Sequence, residues 1–123
     1  MVEMPTFKEA LEKGTIVEKS GYHQPDMYKR NDALTTDKGA YRNAIIEMPD
    51  NRTVYIYHKT PIVTEKEGTY ILNNGGWETS TTKERINRHI PSGYYVRQKD
   101  FTWYLETPNN EQIEFKNGMT IEV

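Results

Sequence analysis

Residues 53–72 read TVYIYHKTPIVTEKEGTYIL. Val54, Ile56 and His58 alternate with Tyr55 and Tyr57, the two-residue period of a strand. Neither face of that strand is clearly polar, so it reads as a central strand covered on both sides. PIVT and TYIL then flank EKEG, whose glycine marks a tight hairpin. Strand followed by hairpin therefore sets the architecture, and the flanking sequence extends it in both directions.

Upstream, AIIEM is separated from TVYIYH by the turn signal PDN. TIVEK near the N-terminus is a further strand. Ahead of it, Thr6 and Glu9 fit a capping box; Phe7, Ala10 and Leu11 share one face, and Gly14 supplies the stop. A helix is expected over 6–13. Residues 19–40, KSGYHQPDMYKRNDALTTDKGA, follow neither period. Pattern-free stretches of about 20 residues are unusual in a compact domain and are commonly functional or mobile, so a loop that folds on a partner is expected there.

Downstream, LNNGGWETSTTKERINRHIP (72–91) turns a strand into a basic helix. Thr81 and Glu84 fit a second capping box, placing that helix at about 82–90 with Ile86 and Ile90 buried. YYVRQ, FTWYLE, QIEF and MTIEV follow as strands. Asn117-Gly118 between the last two is a strong hairpin signal, since both residues tolerate positive φ. The sum is one α+β domain over 1–123: a twisted, mostly antiparallel sheet of about six to eight strands with two short helices.

The chain has 123 residues, 35% hydrophobic and 28% charged, with nine tyrosines and two tryptophans supplying apolar area. A net charge of −2 excludes a strongly basic coat protein but permits a local basic patch. With no cysteine there is no disulfide, thiolate metal site or cysteine nucleophile. The N-terminus lacks the pattern of a signal peptide, and no run of about 18 apolar residues occurs. A soluble protein of a reducing cytoplasm is expected.

Three readings compete for the Gly-Gly-Trp stretch. In the structural one, Gly75 and Gly76 break the strand, Trp77 plugs the core, Thr81 caps, and Lys83, Arg85 and Arg88 face solvent. In the second, turn amides and the helix start, with Ser80, Thr81, Thr82 and Lys83, hold an anion such as a phosphate. The third is a wider basic and aromatic face. Residues 52–99 carry eight Lys or Arg against four Glu, while the remaining positions carry eight against fourteen acids. Arg85, Arg88, Arg97 and Lys99 interleave with Tyr94, Tyr95 and Trp103, a composition suited to backbone contact and base stacking. The binding residues expected are Gly75, Gly76, Trp77, Thr81, Thr82, Lys83, Arg85, Arg88 and Arg97.

Catalytic signals are weak. His23, His58 and His89 show no metal-ligand spacing, and Ser20, Ser80 and Ser92 lie in no nucleophile-elbow motif. An acid-base pair of His58 and His89 acting on phosphodiesters is the one enzymatic alternative. No enzyme activity, cofactor or metal is expected.

His58, Thr60, Gly75, Gly76, Trp77, Thr79, Thr81, Thr82, Lys83, Arg85 and Asn87 carry a resemblance. Over roughly 40–120, and most densely over 54–95, the chain resembles a family of small proteins from tailed phages, prophages and archaeal viruses. Asn74 stands where that family's block has serine, and Ile86 where it has methionine or leucine. The resemblance implies a viral accessory gene and assigns no chemistry. The expected function is thus a non-catalytic phage binding protein in the host cytoplasm, a monomer or small homo-oligomer. Its partner would be a nucleic acid or nucleotide, or a host nucleic-acid-handling protein, as in inhibitors of host defence. A structural protein that oligomerises is the alternative.

Overall fold

A computed structural model describes residues 2–23 and 40–123. In chain order the elements are α1 (Phe7–Lys13), β1 (Thr15–His23), β2 (Ala40–Glu47), β3 (Thr53–Tyr57), β4 (Thr60–Lys66), β5 (Thr69–Leu72), α2 (Ser80–Asn87), β6 (Tyr95–Lys99), β7 (Thr102–Glu106), β8 (Gln112–Glu114) and β9 (Thr120–Glu122). Among the described residues, two helices and nine strands make an α+β fold with two antiparallel sheets. Six strands form one sheet in the order β1-β2-β3-β4-β5-β9, and β6-β7-β8 form the other.

β3 occupies the interior of the large sheet, and its alternation reports two covered faces. Val54 and Ile56 join Ala44, Ile46 and Met48 beneath Ala10 of α1, with Phe7 and Leu11 packed at the margin. Tyr55 and Tyr57 pack on the opposite cluster, where Val63, Leu72 and Ile121 meet Ile86 of α2 and Val96, Trp103 and Leu105 of the small sheet. α1 thus covers one face, while α2 and the small sheet cover the other. A bulge places Ile62 between the pairs Tyr55–Val63 and Ile56–Pro61, so Ile62 and Val63 both enter the second cluster. Burying a side chain the size of Ile86, fully enclosed here, contributes roughly 1.5–3 kcal/mol.

Local chemistry sets the helix boundaries. Thr6 caps α1 by accepting from the Glu9 amide at 3.1 Å. α2 starts two residues earlier than the sequence suggests, because its cap is Thr79 and not Thr81. The Thr79 hydroxyl accepts from the Thr82 amide at 3.2 Å and pairs with the Thr82 hydroxyl at 2.9 Å. Ile86 is buried as expected, and Ile90 packs at the edge of the same cluster.

Two further expectations change. Residues 19–23 and 40, assigned to a pattern-free loop, belong to β1 and β2, which pair from Thr15–Glu47 out to His23–Ala40. Alternation is hidden there because exposed polar residues from Glu18 to Ser20 line the outer strand. Residues 24–39 of that loop lie outside the described residues. Asn117-Gly118 does not join β8 to β9 as a hairpin. β8 pairs with β7 and β9 with β5, so the turn is a corner between sheets. Only Gly118 takes positive φ (89°), and Met119 donates to the Lys116 carbonyl at 3.0 Å, the pattern of a type II turn.

Gly75 combines both demands that exclude a side chain. Its φ is +63°, and a Cβ would lie 2.6 Å from Thr60 Cγ2. Gly118 has φ +89° but open space around it. Urea unfolding should therefore separate the two costs: Gly118→Ala loses about 1–2 kcal/mol from backbone conformation alone. Gly75→Ala should lose about 2–4 kcal/mol, because the Thr60 contact adds to it.

Candidate functional site

The Gly-Gly-Trp turn is built from side-chain amides. Asn74 is buried, and its Oδ1 accepts from the Gly76 amide at 2.8 Å, while its carbonyl accepts from the Trp77 amide at 2.9 Å. The Asn73 Oδ1 accepts from the Gly75 amide at 3.3 Å, and its Nδ2 donates to the Pro61 carbonyl at 3.0 Å. The Asn117 Oδ1 accepts from the Asn74 amide at 2.8 Å. The amides of Gly75, Gly76 and Trp77, expected to receive an anion, therefore already have acceptors. Thr82 is enclosed with its hydroxyl bonded to Thr79, whereas Thr81 is exposed on the first turn of α2.

Trp77 is 61% exposed and does not plug the core. Trp103 takes that place at 4% exposure, so its indole is unavailable for the base stacking that its sequence neighbours suggest. Phe115 meets it edge-on at 5.3 Å. Exposure of Trp77 departs from the structural reading alone, and burial of Trp103 removes it from the aromatic face of the third reading.

Three of the expected cations gather in one place. Lys83 of α2, Arg88 at its C-terminal cap and Arg97 of β6 line a groove with Ser80 and Tyr95. Lys83 Nζ donates to Gln98 Oε1 at 2.8 Å and lies 5.7 Å above the Trp103 ring. Arg97 pairs with Glu106 at 2.8 Å and lies over the half-exposed Tyr95 ring at 5.4 Å. Arg88 pairs with Glu84 at 2.5 Å. Arg85 turns toward the large sheet instead, donating to Asn43 Oδ1 at 3.0 Å and to Glu84, with Tyr57 beneath it at 5.4 Å. Gly75 and Gly76 belong to the turn and line no part of this groove.

Asn87 holds the groove's two walls together. Its Oδ1 accepts from the Val96 amide at 2.7 Å and its Nδ2 donates to the Val96 carbonyl at 3.0 Å. The spacing of Lys83 to Asn87 along one helix thus fixes where the cations stand against β6.

Titration follows from these partners. Burial acts to raise the Glu84 carboxyl, but hydrogen bonds from Arg88 and Arg85 outweigh it and hold it below the ordinary carboxylate value. His89 stacks on Tyr55 with ring centroids 4.0 Å apart. Burial, with Arg88 beside it, lowers its pKa below the usual 6.5. Among the described residues no group of three or more His, Asp or Glu is placed to hold a metal ion.

The unfolded chain takes up a proton at His89 near pH 6.5, while the folded chain resists it. Stability should therefore fall as pH drops below about 6.5, until the folded-state pKa is passed. His89→Phe keeps the stacking surface and should flatten that part of the profile, measured by urea midpoint between pH 7 and 5.

No helix among the described residues is long and apolar enough to cross a membrane. No curated protein and no solved structure matches the chain. The sequence model of the Kyanoviridae Gp96 protein matches residues 27–122, more than three quarters of the chain, and begins earlier than the resemblance implied. On that match the chain belongs to the Kyanoviridae Gp96 family of phage proteins.

Proposed function

We propose that this chain is a non-catalytic phage accessory protein of the host cytoplasm. In this reading the groove between α2 and β6 binds the phosphate backbone of a nucleic acid. The observation that carries the reading is the convergence of Lys83, Arg88 and Arg97 on one groove with Tyr95 half exposed at its side. Three cations suit successive phosphates, and an exposed tyrosine ring gives a base a stacking face. A phosphate would compete with Glu84 and Glu106 for the two guanidinium groups. Partner exchange of this kind limits affinity and makes it depend on salt.

The host nucleic-acid-handling partner is the other form of this proposal, and Trp77 favours it. An indole 61% exposed just ahead of α2 is the type of anchor that protein interfaces bury.

Fluorescence anisotropy with labelled single- and double-stranded oligonucleotides tests the nucleic-acid form. Three phosphate contacts predict a slope of log affinity on log salt of about −2 for single strands. Lys83→Glu with Arg97→Glu should reduce affinity at least about tenfold, and Tyr95→Ala should weaken single-strand binding about fivefold or more. Absence of binding to all strands at low salt eliminates the nucleic-acid form and leaves the protein partner.

A further inference from the structure

A second cleft opens at the opposite edge of the small sheet, between the Gly-Gly-Trp turn and the corner that leads to β9. Glu78, Phe101, Trp103, Glu114, Phe115 and Asn117 are the residues of its lining that matter here. We propose that this cleft docks an extended, lysine- or arginine-bearing segment of a partner protein.

Charge complementarity points to the occupant. Among the described residues two carboxylates, Glu78 and Glu114, line the cleft, and no lysine or arginine does. A phosphate backbone would be repelled there, whereas a cationic side chain gains both carboxylates and the faces of Phe101 and Phe115. The basic groove and the acidic cleft thus lie at the β6 and β8 edges of one three-stranded sheet and select opposite charges.

Phe101 is a second, independent sign. It is 91% exposed at the β6–β7 turn, where both Asp100 (φ 52°) and Phe101 (φ 66°) take left-handed backbone. A bulky residue is strained at such a φ. The ring has almost no packing in the fold to offset that strain, and it stands at the mouth of the cleft.

Trp103 is the third. It is 4% exposed, and its Nε1 is a buried donor with no acceptor among the described residues. Donors so placed are rare in folded proteins because their hydration is lost without return. Trp103 lines this cleft, and in this proposal the docking segment displaces the side chains that cover Nε1, so that a main-chain carbonyl becomes the acceptor it lacks. An isolated cation would leave that donor unmet, so the ligand is a polypeptide segment and not a free amine. Asn117, already bonded to the Asn74 amide, holds the floor in place.

The test uses the full chain and a capped peptide of alternating lysine and alanine, with a glutamate-for-lysine peptide as control. Binding is followed by the indole N–H signals, which are two in number and assigned with Trp77→Phe. The lysine peptide is expected to bind at low salt and move the Trp103 indole proton downfield, and the glutamate peptide to leave it in place. Glu78→Gln with Glu114→Gln should weaken binding at least about fivefold. Phe101→Gly should weaken it comparably while melting no lower than the parent, which separates lost contact from lost folding. Glu12→Gln on α1 and Arg88→Gln in the basic groove should leave affinity within about twofold, so failure here is independent of the groove's function. Absence of lysine-peptide binding, binding undiminished by the cleft variants, or an unmoved Trp103 signal overturns the proposal. A concentration-dependent dimer abolished by Phe101→Gly overturns it in favour of a second copy of the chain.

Discussion

The hydrogen bond from the Asn74 amide to the Asn117 side chain joins two places where the chain changes direction. One is the exit from β5 into the glycine turn, and the other is the corner from the small sheet back to the large one. Around it, Gly118 donates to the Leu72 carbonyl and Leu72 to the Met119 carbonyl. These contacts settle where α2 begins, which way Trp77 points and how β9 reaches β5. Both candidate surfaces take their positions from this junction, since one lies on α2 and the other on the turn itself.

Much of the sheet was legible because apolar alternation is local. Tyr55 and Tyr57 opposite Val54 and Ile56 announced a strand covered on two sides, and the fold covers both. The division into two sheets was not legible. Asn117-Gly118 has the chemistry of a hairpin, yet which strands meet beyond it depends on partners more than forty residues away in sequence. The bulge at Ile62 is equally silent, because an extra residue in a strand leaves no mark on composition. The α2 cap was misplaced by two residues, since Thr79, Thr81 and Thr82 all suit a helix start and only packing chooses Thr79.

The candidate site was legible in charge and not in geometry. A basic excess over 52–99 pointed to Lys83, Arg85, Arg88, Arg97 and Lys99, and the groove collects three of them, Lys83, Arg88 and Arg97. Their carboxylate partners could be guessed only for Glu84 and Arg88, four residues apart on one helix. Glu106 reaches Arg97 through strand pairing that no local pattern encodes. For Trp77, side-chain type favoured the core plug of the structural reading, and the direction of the backbone at a glycine turn decided otherwise. Phe101 gave no signal at all, because nothing in Lys-Asp-Phe announces two consecutive left-handed residues.

Asn87 has a consequence beyond placing the groove. β6 is an outer strand of the small sheet, and outer strands offer unpaired amides and carbonyls to any passing polypeptide. By engaging both main-chain groups of Val96, the asparagine substitutes for a fourth strand at the middle of that rim. A helix carrying one carboxamide thereby blocks rim-to-rim pairing by another strand at that point of β6.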